Sequence, residues 1–199
     1  VHTIEIGGRR DGTVEAYRLT VLQDVGAYPS MAAFLPFMTR TMAPGTYAFP
    51  KVECNVKSVM TNTTPLEAYR GAGRPEATAA VERAMDLFAN EIGMDPVEVR
   101  RRNLIAPDAF PFTTPTGAVY DCGDYEGALD HALRAAGYDE LRAEQARRRA
   151  AGDPVELGIG VAVYVEITAG PAGNQGEFAK VVLRPDGGLT VYTGSSSHG

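Results

Sequence analysis

The stretch PLEAYRGAGRPEA, residues 65–77, sets Gly71 and Gly73 between Arg70 and Arg74, directly ahead of a helix-forming run. Glycine lets a backbone turn with positive φ and come close to a ligand, so such a loop can present consecutive N–H groups. A helix opening near Pro75 aims the positive end of its dipole at the same place, and the two arginines add fixed charge. That chemistry suits a phosphate or a metal-bound oxo group. The same composition also serves an ordinary strand-to-helix turn whose glycines relieve backbone strain, and the residues alone leave both readings open. The loop is not a dinucleotide fingerprint, because Glu76 stands where G-x-G-x-x-G requires its third glycine.

The chain closes on a second candidate, TGSSSHG, residues 193–199. It follows a strand pattern and is dense in small hydrogen-bond donors, the composition of an anion-cradling loop, but it lacks the lysine of a P-loop. His198 in that setting reads as a surface residue as readily as a ligand. Of the carboxylates near these segments, Glu67, Glu76, Glu166 and Glu177, no two are spaced as an acid–base pair, and each reads as solvated or as a helix-end charge. His2 and His131 look incidental. Cys54 and Cys122 are the two cysteines and cannot supply a four-thiolate zinc or iron–sulfur site. They read as reduced, structural thiols, with a disulfide between them unsupported.

The elements that must position these loops follow from patterning. Ile4 and Ile6 alternate up to a turn at Arg10-Asp11-Gly12, and the return strand carries Tyr17, Leu19 and Val21 on one face, which predicts a hairpin. MAAFLPFMTRTMAPG, broken by Pro36 and Pro44, predicts irregular or short helical structure. KVECNVKSVMTN predicts a strand leading into the glycine loop. Val81, Met85, Phe88 and Ile92 then recur at helical spacing, with Pro75 as the start and Gly93 as the stop. Asp95-Pro96-Val97-Glu98 predicts a capping box and a short helix ending near Asn103. Residues 106–125 predict a long ordered loop, followed by helices over 125–137 and 140–151. Ile159, Val161, Val163, Val165 and Ile167 alternate as a strand, and a hairpin is predicted around Pro185-Asp186-Gly187-Gly188. Strands flank a helical block without regular βαβ alternation, so the fold class is α+β, with the two end hairpins as candidates for one sheet.

With 44% hydrophobic and 22% charged residues the 199-residue chain reads as globular. No apolar run approaches the roughly 18 residues that a membrane span needs. A net charge of −6, from 25 acidic and 19 basic residues, argues against nucleic acid as partner, and Arg147-Arg148-Arg149 reads as a solvated helix face. The chain lacks an initiator Met and is expected to be an internal piece of a longer one.

Taken together, NTTPLEAYRGAGRPEA, the run VERAMDLFANEIGMDPVEVRRRNLI and the later TGSSSHG resemble the molybdenum-binding large subunit of the xanthine dehydrogenase and aldehyde oxidase family. The likeness extends over the whole chain and is nearest to the large chains of aerobic carbon monoxide dehydrogenases, in the form II variant marked by AYRGAGR. The resemblance implies that Arg70 and Gly71 meet the metal end of a molybdopterin cofactor, in its cytosine dinucleotide form with molybdenum, and that Ala72 also faces the substrate pocket. Ser197, His198 and Gly199 would contact the pterin and its phosphates.

Two departures stand out. Copper-using carbon monoxide dehydrogenases carry a cysteine where this chain has Gly71, and purine and aldehyde oxidases often carry an aromatic ring where it has Ala72. The family's general-base glutamate and an earlier glycine-rich cofactor loop fall outside this chain, so no catalytic base is assigned, and the isolated chain is expected to be inactive. The implied activity is oxidation of an aldehyde or N-heterocycle with oxygen from water. The alternatives are a non-catalytic scaffold or assembly paralogue, or carbon monoxide oxidation. Residues 1–150 would belong to a first molybdopterin-binding domain and 151–199 to the start of a second, strand-rich part. The resemblance further implies a flavin subunit carrying FAD, an iron–sulfur subunit carrying [2Fe–2S], a dimer of heterotrimers, and a cytoplasmic location.

Overall fold

The computed structural model describes residues 1–166 and 178–194. Its first sheet has the order β1-β2-β3. Strands β1 (His2–Gly8) and β2 (Val14–Gly26) form the expected antiparallel hairpin, with Leu19 opposite Ile4. Strand β3 (Val52–Met60) lies parallel to β2, with Cys54 opposite Leu19. A parallel neighbour needs a crossover, and here the chain makes it through a 3-10 turn, Met31–Phe34, and the short helix α1, Leu35–Thr41. Pro36 sits in the first turn of α1, where its missing N–H costs nothing.

Helix α2 (Arg74–Ile92) covers the sheet. Its Val81, Met85 and Phe88, at the spacing of one helix face, meet Tyr17, Leu19 and Val21 from β2 together with Tyr47 and Phe49. Gly93 in the left-handed conformation stops it, as expected. Helix α3 (Pro96–Asn103) is capped by Asp95, whose Oδ1 accepts from Val97 N at 2.8 Å. Glu98 turns to Arg101 at 3.6 Å. Buried Asn103 fastens this helix to the hairpin: its Oδ1 accepts from Val14 N at 2.9 Å and its Nδ2 donates to Gly12 O at 2.8 Å.

The long loop contains a small hairpin of β4 (Phe112–Thr113) and β5 (Val119–Tyr120), before helices α4 (Tyr125–Ala136) and α5 (Tyr138–Ala151). On α5, Arg147 and Arg148 lean on Glu144 at 2.7 Å, the solvated face that composition indicated. One strand expectation is corrected. Residues 158–166 have no regular secondary structure; Val161, Val163 and Val165 do alternate inward, but the segment joins no ladder among the described residues, and Ile167 lies outside them. Alternation reports which face is buried, not whether a neighbouring strand supplies hydrogen bonds. Strands β6 (Ala179–Leu183) and β7 (Leu189–Thr193) form the predicted last hairpin as a sheet of their own, so the two end hairpins do not share one. The architecture is α+β, and the chain divides into compact units at residues 1–166 and 167–199. Among the described residues no helix is long and apolar enough to cross a membrane.

Both cysteines are free thiols. Burial pushes the Cys54 thiol up to about 11, whereas Cys122 is exposed. Because the thiolate is the nucleophile, alkylation of the native chain near neutral pH should label Cys122 and spare Cys54 until the fold is opened. Peptide mass mapping after a timed iodoacetamide pulse reads this, and equal labelling of both thiols would contradict the packing.

Candidate functional site: the glycine loop ahead of helix α2

The approach to the loop is braced where β2 ends. Asp24 Oδ1 accepts from Gly26 N at 2.8 Å and from Thr61 Oγ1 at 2.7 Å, and its Oδ2 accepts from Thr63 Oγ1 at 3.0 Å. These donors, the Gly26 amide foremost, hold the Asp24 carboxyl below its ordinary range. The bond between Ser30 Oγ and Glu67 ties the next stretch down. Tyr69 then stands 87% exposed.

The turn itself closes on backbone bonds, Ala72 N to Tyr69 O at 2.9 Å and Arg74 N to Gly71 O at 3.1 Å. Three successive residues take positive φ: 97° at Gly71, 42° at Ala72 and 88° at Gly73. Such φ is routine for glycine and uncommon for alanine. Ala72 tolerates it with its methyl packed against Val25, Ala32 and Leu35. Each glycine also meets a wall. A Cβ on Gly71 would lie 2.6 Å from Pro75 Cγ, and one on Gly73 would lie 2.7 Å from Leu35 O and 2.8 Å from Thr39 N of α1.

The donors differ from the sequence expectation. The amides of Ala72 and Arg74 are spent inside the turn, while those of Gly71 and Gly73 have no protein acceptor among the described residues. The open donors therefore alternate along the loop instead of running consecutively. A tight turn must close on its own carbonyls, and that consumes every second N–H. Gly73 is buried against α1 and Gly71 is half-buried, so the anion-directed part of the loop is the Gly71 amide with the helix N-terminus and the exposed Arg70, and these fit an oxygen-rich ligand.

Arg74 has a separate task. Its side chain, 17% exposed, sets Nη1 3.1 Å from Gly71 O and Nε 2.9 Å from Glu166 Oε1. The Nε contact is a charge pair, with the N–H directed away from a hydrogen bond. Glu67 and Glu166, which the sequence alone reads as solvated or helix-end charges, thus both have partners. Ser197, His198 and Gly199 lie outside the described residues, as does Glu177. Arg70, Gly71 and Ala72 stand together at the turn.

A buried ionic network under the loop's helix carries no signal in the glycine motif. Arg100 is 0% exposed and donates to Glu82 Oε2 at 2.8 Å, Asp86 Oδ1 at 2.9 Å, Glu82 O at 3.2 Å and Pro96 O at 3.1 Å. Tyr47 OH donates to Glu82 Oε1 at 2.5 Å, and Val163 N to Glu82 Oε2 at 3.2 Å. Burial pulls the Arg100 guanidinium down, but Glu82, Tyr47 and Asp86 outweigh it and leave it above its ordinary value. Burial and then the Glu82 charge push the Tyr47 phenol far up. Helical phase was the available clue, since Arg100 follows Val97 by three positions and so shares its inward face.

Comparison with known proteins places these elements. Residues 1–104 match a family model described as a molybdopterin cofactor-binding domain, and residues 131–199 match a second model of that description. The carbon monoxide dehydrogenase large chain of Hydrogenophaga pseudoflava is 38% identical over 174 residues, covering 84% of this chain and 22% of that protein. The 6-hydroxypseudooxynicotine dehydrogenase complex subunit gamma of Paenarthrobacter nicotinovorans is 34% identical, covering 100% of this chain and 25% of that one. The crystal structure of quinoline 2-oxidoreductase from Pseudomonas putida 86 superposes with a TM-score of 0.87 at 29% identity, over 100% of this chain and 26% of that chain. This chain therefore spans about a quarter of the length of these relatives. The glycine loop and the helices behind it fall within the first matched segment, and the chain belongs to the molybdopterin cofactor-binding domain family.

Proposed function

We propose that this chain is the portion of a molybdenum hydroxylase large subunit whose loop at Arg70, Gly71 and Ala72 receives the metal end of a molybdopterin cofactor. The observation that carries this reading is the loop's construction: two glycines held against Pro75 and α1, whose amides find no acceptor among the described residues. Those amides are placed to donate to cofactor oxygens, Arg70 supplies positive charge at the rim, and the Ala72 methyl, turned partly into the apolar cluster, leaves room for substrate above the backbone. Ser197, His198 and Gly199 are assigned to the pterin and its phosphates on the resemblance alone.

The cofactor, in the cytosine dinucleotide form, supplies the two-electron chemistry by which oxygen from water enters a substrate C–H bond. Positioning and polarisation are the protein's share. The substrate class is an aldehyde or an N-heterocycle. The electrons leave through partner subunits carrying [2Fe–2S] and FAD, in a dimer of heterotrimers in the cytoplasm.

Carbon monoxide oxidation is the second reading, supported by the 38% identity with a carbon monoxide dehydrogenase large chain. The loop counts against its copper-dependent form. The cysteine that this chemistry requires would stand at Gly71, where φ is 97° and Pro75 Cγ blocks the Cβ position. Elemental analysis of the large subunit, purified with its partners from a host that makes the cofactor, should find stoichiometric molybdenum. An absence of molybdenum from that preparation would overturn the reading and leave a non-catalytic scaffold in its place.

A further inference from the structure

We infer that Glu166 and Arg74 form a clamp that sets the curvature of the glycine loop, with Glu166 as a positioning residue that acts through Arg74. In its consequences for turnover this rests on the cofactor reading above. The Gly71 carbonyl receives two donors from one residue, Arg74 N and Arg74 Nη1, both at 3.1 Å. A guanidinium on a flexible stem keeps such a bond only while it is held beside the carbonyl, and the Glu166 charge, with Oε1 2.9 Å from Nε, holds it there as a charge contact without a hydrogen bond. The second carboxylate oxygen lies 3.9 Å from the point a Gly71 Cβ would occupy, so the carboxylate sits against the turn itself.

Glu166 is in turn delivered from the core. Three residues earlier, buried Val163 donates its N–H to Glu82 Oε2 at 3.2 Å, which fastens this segment to the Arg100 network. Stability does not account for the pair. The Glu166 side chain is 47% exposed, and an ion pair in that setting is worth at most about 1 kcal/mol. Its effect is geometric. With the guanidinium released, Gly71 O loses its side-chain donor, and the open amides on either side of Ala72 are free to turn.

The test uses the intact large subunit with its partners, in the parent, Glu166→Gln, Arg74→Lys and double-variant forms. Lysine keeps the charge but has one nitrogen in place of the separate Nε and Nη1 that face Glu166 and Gly71 O. Amide hydrogen exchange of the peptide spanning 69–77 should lose protection several-fold in each single variant. The double variant should be no worse than either single one, because the two residues act as one device. In the loaded enzyme, kcat should fall about ten-fold with KM unchanged, as expected for a displaced reacting centre. Unchanged exchange, additive effects of the two substitutions, or faster exchange with unchanged kcat would each overturn the clamp. A parent subunit without molybdenum would instead refute the cofactor reading, and the exchange measurement would then decide the clamp alone.

Discussion

Arg100→Met should lower the melting temperature by roughly 6–20 °C. The figure follows from about 3–5 kcal/mol for removing one partner of a buried ion pair, at about 2–4 °C per kcal/mol for a chain of this size. Arg100 is 0% exposed and holds Glu82 and Asp86 at 2.8 and 2.9 Å, so its loss strands the Glu82 carboxylate in the core. The magnitude reflects the stranded charge more than the worth of the pair, and that distinction can be measured. Adding Glu82→Leu and Tyr47→Phe removes the orphaned carboxylate and phenol together, leaving Val163 N as a stranded donor and Asp86, Glu82 O and Pro96 O each without the bond Arg100 gave, and much of the stability should return. Differential scanning calorimetry of the single and triple variants separates the cases. A single variant that melts within about 2 °C of the parent would show that the network is not closed to water.

Much of this architecture was legible because each visible element has a local cause. The first hairpin follows from the alternation of Tyr17, Leu19 and Val21, and α2 from the spacing of Val81, Met85 and Phe88. The stops at Gly93 and Gly137 follow from the left-handed caps that glycine alone takes cheaply. What composition could not supply is pairing over long separations. Beyond its helical phase, Arg100 carries no signal of its own in the sequence until Glu82 and Tyr47 are brought beside it by the packing of α2 on α3. Glu166 reads as a solvated or helix-end carboxylate until Arg74 reaches it. Residues 158–166 show a buried face in their alternation, yet nothing in that pattern names a ladder partner. The glycine loop was visible as a motif and ambiguous as a function. Its walls, at Pro75 and at the backbone of α1, come from elements that a linear reading cannot place beside it.

The loop can be tested most sharply by comparing two glycines that pose the same conformational problem in different surroundings. Gly73 and Gly93 both have positive φ, 88° and 69°, and each flanks α2. Nothing lies within 4 Å of a Cβ on Gly93, whereas a Cβ on Gly73 meets Leu35 O at 2.7 Å and Thr39 N at 2.8 Å. Gly93→Ala should therefore cost only the left-handed conformation, about 1–2 kcal/mol. Gly73→Ala should cost that and overpacking besides, about 2–5 kcal/mol in all, since the obstacle is helix backbone that cannot swing aside. The second term has a consequence the first lacks. Relief requires the loop and α1 to separate, which displaces the turn and with it the Gly71 amide and Arg70. On the cofactor reading, Gly73→Ala should then lose most of its molybdenum on purification, while Gly93→Ala keeps it despite its lower melting temperature. Matched calorimetry and metal analysis of the two variants would decide the matter. Equal destabilisation with equal metal content would mean that the close approach of loop and α1 shapes no binding surface.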